Sequence, residues 1–167
     1  MSIANALLAE LEQEAQTTRR VLERIPQAQL SWKPHAKSMS LGQLALHVAT
    51  LPGNVAELGM LDTVPEPPGF NHLEAATAAE LVPALTASVA KARQHLGAAE
   101  DATMGATWRL MKNGREILAM PRAAFLRAIM LNHWYHHRGQ LLVYLRLLDL
   151  PVPSVYGPTA DENPFAA

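Results

Sequence analysis

NHWYHHRGQLLVYLRLLDLPVP, residues 132–153, is the stretch from which the rest of the chain is read. It continues a run that begins at Pro121, where proline suits the first turn of a helix. Phe125, Ala128, Ile129, His133, His137, Gln140, Tyr144 and Leu148 recur at three- and four-residue spacing, so the pattern predicts one long final helix with these residues along one side. Pro151 and Pro153 forbid its continuation. On such a helix His133 and His137 differ by only about 40° in azimuth and stand one turn apart, so both rings can reach one ion. His136 lies about 100° from His137 and falls outside that set, while Gln140 is nearly in line with His133 and approaches from the next turn.

Working back from this segment, three more helices are predicted. Ile3, Leu7, Leu11, Ala15, Thr18, Leu22 and Ile25 mark the first, which Pro26 ends. Ser40 with Gln43 forms a capping box, so a second helix starts near Leu41 and carries Leu44, Val48, Leu51, Val55 and Leu58 on the face that also holds His47. Pro52-Gly53 falls in its middle, where the missing N–H and the clash with the Val48 carbonyl predict a kink. After the loop DTVPEPPGFNH, Thr77 and Glu80 repeat the capping signature, and Leu81, Leu85, Val89, Ala92 and Leu96 mark a third helix that Gly97 stops. TWRLMK and REILA flank Asn113-Gly114, a pair suited to a tight hairpin turn. The expected fold is therefore all-α: an up-down four-helix bundle over residues 1–152, with a small β-hairpin inserted before the last helix and an extended tail at 153–167.

Composition narrows the function. Of 167 residues, 49% are hydrophobic and only 5% aromatic, so the apolar mass is aliphatic and suits helices. A net charge of −1 offers no basic footprint for nucleic acid. The segment LLVYLRLLDLPV is interrupted by Arg146 and Asp149 and is too short to cross a bilayer, and the N-terminus lacks a basic leader, so the expectation is a cytoplasmic protein with no membrane partner. With no cysteine, any metal site must use histidine and carboxylate.

The pair His133/His137, taken alone, fits a metal site and equally a polar pair in the core. His47 adds weight, because an unpartnered imidazole on an apolar helix face costs about 1–3 kcal/mol. Three nitrogens from two helices make the usual complement of an open site, which suits Zn, Ni, Fe or Cu. Asn54, two turns beyond His47, is a candidate pocket residue or a group that satisfies the kink; Gln140 is a second pocket candidate. Arg138 points away from the ligands and suits a salt bridge with a first-helix Glu better than a substrate carboxylate. Glu57 points roughly 80° away from His47, which leaves metal-assisted hydrolysis without a base. Trp32, Trp108 and Trp134 read as packing anchors, and His35, His72 and His95 as ordinary surface or loop residues. The tail can fold back to bring Tyr156 or Asp161 near the site, or move freely.

WKP at residues 32–34, SLGQLALHVA at 40–49, the Asn113-Gly114 hairpin and the stretch at 132–153 together resemble the DinB superfamily of metal-binding four-helix bundles, across nearly the whole chain. The resemblance implies metal ligands at His47, His133 and His137, and a homodimer. The superfamily includes thiol-dependent S-transferases and isomerases. It thus implies a metal-dependent transferase that joins a low-molecular-weight thiol to an electrophile in detoxification or stress, or alternatively a non-catalytic metal-binding protein associated with stress.

Overall fold

A computed structural model describes residues 1–67 and 72–166. Helix α1 (Ile3–Leu22) starts at Ser2, whose hydroxyl accepts from the Asn5 amide at 3.2 Å. Helix α2 (Leu41–Gly59) starts at the expected capping box. Its first two amides also find partners, since Leu41 N donates to Trp32 O (2.9 Å) and Gly42 N to Leu30 O (2.8 Å). The connector before α2 is thereby fixed, with Trp32 half-buried edge-on against Tyr144.

Helix α2 runs through Pro52, and the bonds that proline disrupts are replaced from other helices. The Val48 carbonyl, which the residue-52 amide would normally bond, accepts from Trp134 Nε1 at 2.8 Å. Gly53 N donates to Ser88 Oγ (2.8 Å), which in turn donates to Thr50 O (3.0 Å). A β-carbon at residue 53 would lie 2.6 Å from Ser88 O, so glycine is what lets the neighbouring helix come this close. That neighbour is α3 (Leu81–Leu96), entered through a tight turn at Ala78–Glu80 whose capping box is Thr77 with Glu80.

Strand β1 (Thr63–Pro65) pairs in parallel with β2 (Thr107–Lys112), and β2 pairs antiparallel with β3 (Arg115–Pro121). The hairpin turn has positive φ at both Asn113 (49°) and Gly114 (76°), as the dipeptide requires. Two expectations need correction here. The hairpin has a third strand, and a short helix α4 (Asp101–Gly105) precedes it, so the chain is mostly helical with a small sheet, and its helices exceed the expected four. Neither a three-residue strand nor a single helical turn is long enough to show a periodicity.

The final helical stretch is also not uniform. Helix α5 (Arg122–Phe125) leads into wide π-helical turns at Leu126–Asn132 and then into α6 (His133–Leu147). An i→i+5 turn takes up an extra residue, which rotates all that follows relative to a regular helix. The buried face is Leu126, Met130, Leu131, Trp134, Arg138, Leu141 and Leu145, while Ile129 is 38% exposed. The predicted face is therefore displaced by about one position, and His133, His137 and Gln140 sit half-buried at the edge of the core.

One apolar core joins these elements, with α2 packed on α3, on the π-helical turns and on α6, and α1 packed on α3 and α6. Buried Arg122 closes the end of α2: its Nε donates to Gly59 O at 2.7 Å and its Nη1 to Thr103 O at 2.6 Å, satisfying terminal carbonyls of α2 and α4. Among the described residues no helix is long and apolar enough to cross a membrane.

Candidate metal centre

The packing of α2 against α6 brings His47 onto the same spot as His133 and His137, and one potential ligand atom from each lies within 4.8 Å of the others. Nitrogens bound tetrahedrally to one ion at about 2.1 Å stand roughly 3.4 Å apart, so ring rotations that close the longer separations and open the shortest would let all three share it. His133 Nε2 and His137 Nε2 already converge to 2.6 Å.

The surroundings prepare these nitrogens as ligands. Gln140 Oε1 lies 2.7 Å from His137 Nδ1; as an acceptor it keeps the proton there and turns the Nε2 lone pair toward the cluster. Burial, followed by repulsion from His137, His133 and His72, lowers the pKa of His47 to about 4. Burial likewise brings His137 down to about 4, against the opposing Gln140 bond, and lowers His133. All three rings are thus neutral at pH 7, the form that binds a metal. His47 Nε2 is, among the described residues, the buried side-chain nitrogen or oxygen left without a hydrogen-bond partner.

The other sequence candidates divide. Asn54 is exposed on the α3 side of α2, where it accepts from Lys91 Nζ at 3.4 Å, and Glu57 pairs with the same ammonium. Arg138 is buried and pairs with Glu14 of α1 at 2.6 Å. Trp134 and Trp108 are buried anchors, and each also donates to an α2 carbonyl, that of Val48 and that of Leu58. His136 is exposed. The tail folds back onto α1 and α6: Tyr156 reaches Arg138 and Glu14, Asp161 reaches Arg146, and Glu162 reaches Arg20 and Arg24.

His72 was not distinguishable in sequence, yet its ring packs edge-on against His47 with centroids 5.2 Å apart. Its backbone is held by Gln43 Nε2, which donates to the His72 carbonyl at 3.1 Å. The only sequence signal is Gln43 itself, whose capping role does not announce a second partner.

Similar proteins share this architecture. A DinB-like protein from Bacillus cereus ATCC 10987 superposes with a TM-score of 0.66 at 24% identity, over 91% of this chain and 97% of that one. The DinB-like protein YjoA from Bacillus subtilis gives 0.67 at 18% identity, over 90% and 96%. The uncharacterized protein YrdA of Bacillus subtilis (strain 168) is 42% identical over 43 residues, a match spanning 26% of this chain and 25% of that protein's length. The DinB family model matches residues 1–164, and the chain belongs to the DinB family.

Proposed function

We propose that the protein holds one divalent cation of the zinc, nickel or iron type through His47, His133 and His137, and acts as a transferase that directs a low-molecular-weight thiol to an electrophile. The observation that carries the metal reading is the buried, unpartnered Nε2 of His47 beside two converging imidazole nitrogens. A buried acceptor or donor with no partner costs about 1–3 kcal/mol, which a coordinated ion would offset.

A cation held by these neutral imidazoles would lower the pKa of a thiol brought to it and so favour the nucleophilic form. The chain's own residues serve this by orientation. Gln140 sets the His137 tautomer, and Trp134 ties α6 to α2 next to His47. Among the described residues the cluster contains histidines alone, and Glu57 and Asp62 are engaged by Lys91 and Arg122. A thiol, whose pKa of about 8.5 lies far below that of water, reaches its anion beside a cation with less help from a protein base, which fits a cluster of histidines alone better than hydrolysis does.

Zinc competition with a chromophoric chelator tests the binding step. One zinc per chain is expected, with His47→Ala weakening affinity beyond the ~10–100-fold typical of changes around a metal's ligands. Thiol consumption with an electrophile panel tests the reaction. Full metal loading without turnover would leave the non-catalytic metal-binding reading.

A further inference from the structure

We propose that His72 is a fourth metal ligand, supplied by the loop before α3 to the position that His47, His133 and His137 leave open. The inference rests on the metal reading above and extends it to a residue outside the two helices.

Distance is the first support. The His72 ring centroid is 5.2 Å from that of His47, nearer than the 5.6 Å that separates His47 from His133, which belongs to the convergent set. The second support is anchorage. Gln43 Nε2 fixes the His72 carbonyl and Ala75 N donates to Gly42 O, so the main chain of the loop is held against the first turn of α2, one turn before His47. With the backbone placed, side-chain torsions are the freedom left to His72 for joining the three.

His136 is the competing imidazole, with its centroid 5.1 Å from that of His137. It is exposed and adjacent to His137 on the same helix, where successive side chains diverge by about 100°. A loop histidine has no such restraint. Four imidazoles also complete a tetrahedral zinc-type shell, and the loop-borne one is the ligand that an incoming donor can replace without disturbing the helices.

Proton NMR of the full chain loaded with Co(II) counts the ligands, because each coordinated imidazole N–H gives a strongly shifted, solvent-exchangeable signal. Four such signals are expected in the wild type and in His136→Phe, and three in His72→Phe, with Co(II) affinity about tenfold lower in the last. Phenylalanine keeps the ring against His47 and removes only the nitrogens. Three signals in the wild type, or four in His72→Phe, would overturn the assignment while leaving the three-histidine site intact. No shifted signals in any form would overturn both. The wild-type count stands even if a variant folds poorly.

Discussion

His137 and Arg138 are neighbours on α6, yet the polar groups on their two sides are treated in opposite ways. Arg138 has a side chain 2% exposed, and both of its terminal nitrogens are engaged by the chain itself. Nη1 donates to Glu14 O (3.2 Å) and Thr18 Oγ1 (3.1 Å), and Nη2 to Tyr156 OH (2.6 Å), while its guanidinium lies 5.3 Å and 5.1 Å from the Tyr135 and Tyr156 ring centroids. Tyr156 then donates to Glu14 at 3.0 Å, closing the network. Around His137, three imidazoles crowd together and a buried nitrogen finds nothing. Both regions place polar atoms in the interior. The closed network contributes to the fold, whereas the open one leaves a buried nitrogen that could take a ligand from outside the chain.

The largest effect expected from this contrast is at Arg138. Arg138→Ala leaves the Glu14 carboxylate buried without its cation, which costs about 3–5 kcal/mol. Urea unfolding at pH 7 measures it. Exposed pairs of the tail such as Arg146 with Asp161 contribute far less by the same method, because water screens them. A loss at Arg138 no greater than that of the exposed pair would mean the network is not closed, and the contrast with the histidine side would fail.

The histidine side responds to pH instead. In the unfolded chain these imidazoles take up protons near pH 6.5, whereas folded His47 and His137 resist until about pH 4. Between those values the unfolded state binds more protons, so the stability of the metal-free protein falls as pH drops through the window and is fully present above it. His47→Ala should flatten that slope relative to the wild type in urea titrations at pH 4.5, 5.5 and 7. Parallel pH profiles for the two proteins would show that His47 is not held neutral. Metal affinity should decline over the same window, since protons compete for the same lone pairs.

How much of this was legible in the sequence depends on how far apart the cooperating residues lie. Ser40 and Gln43 announce the start of α2 because both halves of the cap are local. His133 and His137 announce a shared face because four residues are one turn. The π-helical turns at Leu126–Asn132 have no such signature, so the face read from Phe125 onward came out rotated, and Arg138 was not seen as a core residue. Strand β1 exists only by pairing with β2, more than forty residues later. His72 belongs to a stretch without periodicity, and what places it is a glutamine that already had a local role. Pro52 marks a lost hydrogen bond plainly, but nothing local says which residue replaces it.

That replacement supplies the finest test, because Trp134 links the two regions. It lies on α6 one residue after His133, is fully buried, and donates to the Val48 carbonyl immediately after His47. Trp134→Phe keeps an aromatic ring in the core and removes the donor, leaving the Val48 carbonyl unpaired beside Pro52 at a cost of about 1–3 kcal/mol. If this bond also sets the distance between the helices at the site, zinc affinity falls by roughly tenfold as the ligand set loosens. Ser88→Ala is the control: it removes the hydroxyl that accepts from Gly53 N and donates to Thr50 O on the α3 side of the same break, so it lowers stability without touching the α2–α6 tie. A loss of zinc affinity in Trp134→Phe but not in Ser88→Ala would locate the coupling in the indole bond. Equal affinity in both would mean that α2 positions His47 through its apolar packing alone, and that the proline break and the metal centre are neighbours without being coupled.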